Sequence, residues 1–314
     1  MLTRRRVVAA KIEAAEGTME AIVVADSGLL AIDPKFDADF KTNNRDDVKT
    51  NTLSKMIPVP GAQSGKITFR TEIKGTGSAY AAANKPVIGT FLRGCGFAET
   101  VDATAGVEKV TYLPASTGIP SLTIWLYEDG MIKKLKGCRG NVKFSGKTGE
   151  IVYADFEFTG VYGGIVDGAM ISPTFDLAAP PVVLGTTMTI DGYTGVCESF
   201  SFDMATTLQL RGSAGSTEGF LSCLLTDRKP SGKLDPEMVL AATYDFFAKW
   251  KAGGAGALTV GPVGGTQYNK FTFTAPKCVY TKVGDGDRNG NQIADLDFLL
   301  AMNSGDDELK LEFT

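Results

Sequence analysis

Histidine is absent from this 314-residue chain. With it go the commonest general base, the Ser-His and Cys-His nucleophile pairs and most zinc sites. Phosphate-cradling loops are lacking too: GTGSAY at Gly75–Tyr80 has no GK[ST] ending. Cysteine is sparse and nowhere spaced as CxxC; Cys95, Cys138, Cys197, Cys223 and Cys278 read as small buried apolar residues in a reducing compartment. No apolar run approaches the roughly 20 residues of a membrane span. The N-terminal MLTRRRVVAAKIEAAEG begins like a signal peptide, but Lys11 and Glu13 interrupt it too early. Positive charge is short as well, with 32 Lys and Arg against 36 Asp and Glu. A nucleic-acid-binding surface normally carries a basic patch, so that class is disfavoured. These absences predict a protein without catalysis, cofactor or membrane, made in a cytoplasm.

What the chain has is alternation, the signal of half-buried strands. In Lys66–Ile73, Ile67, Phe69 and Ile73 point one way, and Thr68, Arg70 and Glu72 the other. In Glu198–Met204 the apolar face is Phe200, Phe202 and Met204, with Asp203 opposite. The pattern implies sheets with one core face and one polar, acid-leaning face.

It also has a repeat. Ala154-Asp155-Phe156-Glu157-Phe158 returns 140 positions later as Ala294-Asp295-Leu296-Asp297-Phe298, and Cys138 and Gly146 return as Cys278 and Gly286. One duplicated unit explains this spacing. The proline-rich stretch Pro173–Pro181 predicts the boundary, giving units 1–178 and 179–314. Each unit is expected to carry one flanking helix. The first is capped by Asn84, has Pro86 near its start and ends at Gly96. The second is capped by Asp235, begins at Pro236 and runs to Trp250. The polar stretch 37–64 reads as a long loop that is functional or ordered by a partner. Trp125 and Trp250 read as core anchors.

Two chemical motifs invite rival readings. Asp285-Gly286-Asp287-Arg288-Asn289-Gly290 opens like a calcium loop, but the twelfth position, where a bidentate glutamate belongs, is Leu296. The matching position in the first unit is the turn Ser145–Gly149, so a polar hairpin turn explains both copies. Asp155 and Glu157 lie two apart on one strand face, and nothing in the sequence sets them on either side of a sugar cleft.

With these residues in hand, the chain resembles the two-domain tail tube proteins of long, non-contractile-tailed phages. The resemblance runs through LTRRRVVAAKIEAAEGT at Leu2–Thr18, FLRGCGFAET at Phe91–Thr100, and the long segment Tyr127–Tyr162. It continues through LLTDRKPSGKLDPE at Leu224–Glu237 and SGDDELKLEF at Ser304–Phe313, and is loose between Pro34 and Pro60. It implies a mostly β (α+β) fold of two tandem β-sandwich or barrel units, stacked rings, and a lumen through which tape measure protein and then DNA pass. Tail terminator and distal tail proteins are the further implied partners, and the virion tail the implied location.

Closed rings need head-to-tail contacts. Two similar units per chain would let three chains form a pseudo-sixfold ring, with edge strands closing an inner barrel. An acidic lining would repel phosphates where lysines would hold them. Asp155, Glu157, Asp295 and Asp297 are the candidates for that lining, joined by Glu72 and Asp203. The alternative reading is another virion structural protein, a tail terminator or a decoration or carbohydrate-binding module, from which ring formation distinguishes a tube subunit.

Overall fold

The computed structural model describes residues 2, 4–46 and 52–314. Strands make up 53% of the chain and helices 6%, which places it in the mostly β class that the alternation predicts. The first half contains β1 (Arg6–Ile12), β2 (Ala31–Asn43), β3 (Val59–Glu72), α1 (Gly89–Gly94), β4 (Phe97–Asp102), β5 (Lys109–Pro114), β6 (Leu122–Glu128), β7 (Met131–Lys147) and β8 (Tyr153–Asp167). The second contains β9 (Thr187–Ile190), β10 (Tyr193–Thr194), β11 (Ser199–Asp203), β12 (Thr206–Gly212), β13 (Phe220–Arg228) and β14 (Ser231–Leu234). It continues with α2 (Phe246–Ala252), β15 (Ala255–Val263), β16 (Phe271–Arg288), β17 (Asn291–Ala301) and β18 (Lys310–Phe313).

The repeat in the sequence is a repeat in the topology. Antiparallel pairing runs β1-β6-β7-β8-β3-β2 in the first half. It runs β9-β15-β16-β17-β14-β11 in the second, strand for strand the same order. Cys138 on β7 and Cys278 on β16 are both buried in matching places. Residues predicted to face inward do so: Ile67, Phe69, Phe156, Phe158, Phe200, Phe202, Leu296 and Phe298 are buried. The Asp285–Gln292 motif is the β16–β17 hairpin, where Asn289 and Gly290 take φ of 53° and 86°. Two successive positive φ values define a type I′ turn, whose twist suits a tight hairpin.

The halves are joined through hydrogen-bonded sheets. β11 pairs with β14 on one side and with the Lys143–Lys147 end of β7 on the other. Four strands from each half therefore form one run, β2-β3-β8-β7-β11-β14-β17-β16. A second seam comes from the C-terminal β18, which pairs with β16 and with β5. Under these seams lies one apolar core shared by both halves, in which the rings of Phe144 and Phe273 lie 5.1 Å apart. The β12–β13 hairpin folds back over the first half. There Arg139 donates to the carbonyls of Ile119 (2.8 Å) and Cys223, and Glu16 accepts from both Arg139 and Ser222. Four of the cysteines are buried and free, and Cys197 is half-buried.

Four expectations need correction. The first helix does not start at Asn84–Pro86: α1 begins at Gly89 and has no side-chain cap. The Asn84 amide instead donates to the Ala79 carbonyl (2.7 Å) and to Ser78, closing a turn. The second helix starts ten residues late, capped by Asp245, whose carboxylate accepts from Ala248 N at 2.8 Å. Asp235 is diverted to the β11 seam, accepting from the backbone of Glu198 and Ser199. Trp250 on the late helix is 40% exposed and no core anchor. Lastly, the predicted 37–64 loop is largely a hairpin. β2 and β3 pair from Ala31↔Thr71 to Asn43↔Val59; Phe36, Ala38 and Phe40 alternate with Asp37, Asp39 and Lys41, but the polar run that follows, and Pro58, Pro60 and Gly61 beyond it, break the period. Residues 47–51 of that stretch lie outside the described residues.

Candidate functional site

The eight-strand run has two unlike faces. Its inward face carries the phenylalanine core, and its outward face is polar because each strand alternates. The predicted acids sit on this outward face, drawn from both halves. Asp155 and Glu157 come from β8, Asp295 and Asp297 from β17, and Asp203 from β11 at the seam. Glu72 lies at the end of β3 and borders a small cleft with Lys74 and Asp176.

Each of the first five acids faces a cation one strand away. Arg70 on β3 makes a bidentate contact to Asp155 at 2.7 and 3.0 Å, and Lys66 reaches Glu157 at 2.7 Å. In the second half Lys233 lies 2.8 Å from Asp297 and Lys282 lies 3.7 Å from Asp295. At the seam Lys143 of β7 pairs with Asp203 of β11 at 2.9 Å, and Lys147 with Glu198 at 3.3 Å. The pairing raises the proton affinity of Arg70 through Asp155, of Lys143 through Asp203 and of Lys233 through Asp297. Asp203 is held below the usual carboxylate range: burial works against this, but bonds from Asn141, Lys143 and the Ala205 N–H outweigh it. These pairs are part exposed, so each contributes a few tenths of a kcal/mol to about 1 kcal/mol. Their larger consequence is a face whose opposite charges are interleaved.

The cations were not singled out in the sequence, although a signal was present. Lys66 and Arg70 share the polar phase of one strand with Thr68, and Lys143 and Lys147 share that of β7. Alternation gives the face of each residue, whereas the partner across the strand depends on register, which only the fold supplies.

The polar face is dished. Three adjoining depressions of about 370, 410 and 660 Å³ lie along it, and Arg70 borders all three. The largest spans both halves, from Asp155 and Lys143 to Lys233 and Asp297. At its two ends the run stops on open strands among the described residues. β2 pairs with β3 alone, and β16 beyond Lys282 pairs with β17 alone.

A comparison with protein families gives one match over nearly the whole chain: the family described as phage tail tube protein covers residues 3–299. A comparison with curated proteins gives no match. A duplicated, mostly β chain with a polar dished sheet and open strand edges, matched over this length, belongs to the phage tail tube protein family and is a structural component of the virion tail.

Proposed function

We propose that this chain is the repeating subunit of the tube, closing head to tail into rings that stack around a DNA-conducting lumen. The observation that carries the reading is the eight-strand run itself: one dished polar face, four strands from each half, open at both ends. Units 1–178 and 179–314 present that face twice, so three chains supply six copies in a pseudo-sixfold ring. Open edges, a liability in a free sheet, become the closing contacts of an inner barrel. The tip of the β2–β3 hairpin exposes Leu53 and Ile57 and bridges to the next ring.

Asp155, Glu157, Asp203, Asp295 and Asp297 then line the lumen, with Glu72 at its margin. A wall of lysine and arginine alone would hold DNA by releasing counterions from its phosphates. Here each acid occupies a cation on the same wall, leaving little free positive charge. Tape measure protein and then DNA pass such a surface without being retained. Tail terminator and distal tail proteins cap the two ends. The chain performs no catalysis and holds no cofactor; its work is mechanical and electrostatic. A decoration module or terminator, the alternative, would not polymerise.

The test is to replace Asp155, Glu157, Asp295 and Asp297 with lysine. Tubes should still assemble, and virions carrying them should deliver DNA poorly. Normal infection by such virions would contradict the lumen assignment.

A further inference from the structure

The seam inside the chain specifies a seam between chains. Asp155 and Glu157 of β8 match Asp295 and Asp297 of β17. On β7, Lys143 stands opposite Asp155. On β16, Gly284 stands opposite Asp295 and Lys282 opposite Asp297. Gly284 therefore occupies the place of Lys143, and Lys282 that of Asn141, which stands opposite Glu157. β2 matches β11 in the same way. Thr68 faces Glu157 as Lys233 faces Asp297. Lys35 faces Thr68 as Ser201 faces Lys233. Phe36 and Asp37 thus stand where Phe202 and Asp203 stand.

Within the chain, Asp203 lies opposite Lys143 in an antiparallel ladder and accepts a bond from Asn141 at 2.8 Å. The transposed partners, β2 and the far end of β16, are the two open edges. We propose, resting on the tube reading, that β2 of one chain adds antiparallel to β16 of the next, with Asp37 opposite Gly284 of the partner subunit. Asp37 then reaches Lys282 of the partner subunit, and Asp33 lies opposite Arg288 of the partner subunit. Opposite charges meet at the Asp37 end; the Arg288 guanidinium at the other end is held within its own chain by Asp235 and Glu237. Pro34 has no N–H to give, so the ladder is carried by Lys35–Asp37.

Asp285 stands where the internal seam has the buried Phe144. The seam between chains is therefore more polar than the one inside. That suits a contact formed after the subunit has folded, and Pro34, Asp285 and Asp287 blunt both edges until then.

Cysteines at Asp37 and Gly284 test the register. Residues opposed in an antiparallel pair have Cα atoms about 4.5–5.5 Å apart, within disulfide range. A Cβ at Gly284 meets no atom closer than 3.6 Å. Under oxidation, Asp37→Cys/Gly284→Cys protein should give covalent oligomers that converge on one closed species, whose size reads the chains per ring. A mixture of the two single variants should stop at dimers. The shifted pair Asp39→Cys/Gly284→Cys should cross-link about tenfold less. Tubes without the 37–284 cross-link would overturn the proposed pairing and leave the tube reading standing. Cross-linked oligomers that never form tubes would uphold the pairing and overturn the tube reading. Neither tubes nor cross-links would overturn both.

Discussion

Lys143 and Asp203 meet 2.9 Å apart across the line where the two halves of the chain join. Asp203 also accepts from Asn141 and from the Ala205 N–H, both at 2.8 Å, and so fixes the turn at Ala205, whose φ is 44°. Asp203→Ala removes all three contacts and should destabilise the protein by about 2 kcal/mol. Lys143→Gln removes only the exposed partner and should cost well under 1 kcal/mol, roughly the value of a surface pair. Urea unfolding of the two variants measures the difference.

Gly232 on β14 lies under the polar face with two aromatic rings against it. A Cβ there would come within 2.4 Å of the Phe298 ring and 2.8 Å of the Phe202 ring. Both rings are buried and tightly neighboured, so they yield only by repacking the seam. Gly232→Ala should cost about 1–3 kcal/mol, read as a lowered melting temperature.

The β12–β13 hairpin should loosen in acid. Glu218, in the loop of that hairpin, has its carboxyl held down to about 2 from an ordinary 4.5; burial opposes this, and bonds from Thr217, Ser216 and Lys136 outweigh it. A depressed carboxylate contributes stability that is fully present above its unfolded value and lost as pH falls toward its folded one. The stability gap between wild type and Glu218→Gln should therefore be constant above about pH 5 and shrink between roughly pH 4.5 and 2. Thermal melts across that range check it.

Most of the sheet was legible because alternation is a local property. The strands at Lys66–Ile73, Glu198–Met204 and the two copies of the acid motif all lie where the sequence places them. The 140-residue shift found in five side chains and one cysteine is a shift between topologically equivalent strands. The helix starts were missed for a physical reason. Asp235 and Asn84 have the side chains of helix caps, but tertiary partners claim them first: the β11 seam for Asp235, a local turn for Asn84. In β2, Phe36, Ala38 and Phe40 alternate with Asp37, Asp39 and Lys41, but this signal is short and runs straight into a polar stretch, so a paired strand reads as a loop. The ion pairs needed register, which no single strand contains.

Arg228 ties the end of β13 to the C-terminal loop. Its guanidinium is nearly buried; it donates to the Ala115 carbonyl at 2.8 Å and pairs with Asp306 and with Glu308 at 3.1 Å. Arg228→Met leaves two carboxylates uncompensated, one of them able to turn to water. The expected cost is about 2 kcal/mol, below that of a fully buried pair. Arg228→Lys should recover only part of it, because one ammonium cannot replace the planar fork. Hydrogen exchange at β18 reports the loss locally.

The most direct test of the tube account is electron cryo-microscopy of the purified protein polymerised at high concentration. The account predicts hollow, ringed tubes in which Asp155, Glu157, Asp295 and Asp297 point toward the axis and β2 of each subunit lies against β16 of its neighbour. Solid filaments, or tubes whose polar eight-strand face is turned outward, would contradict it.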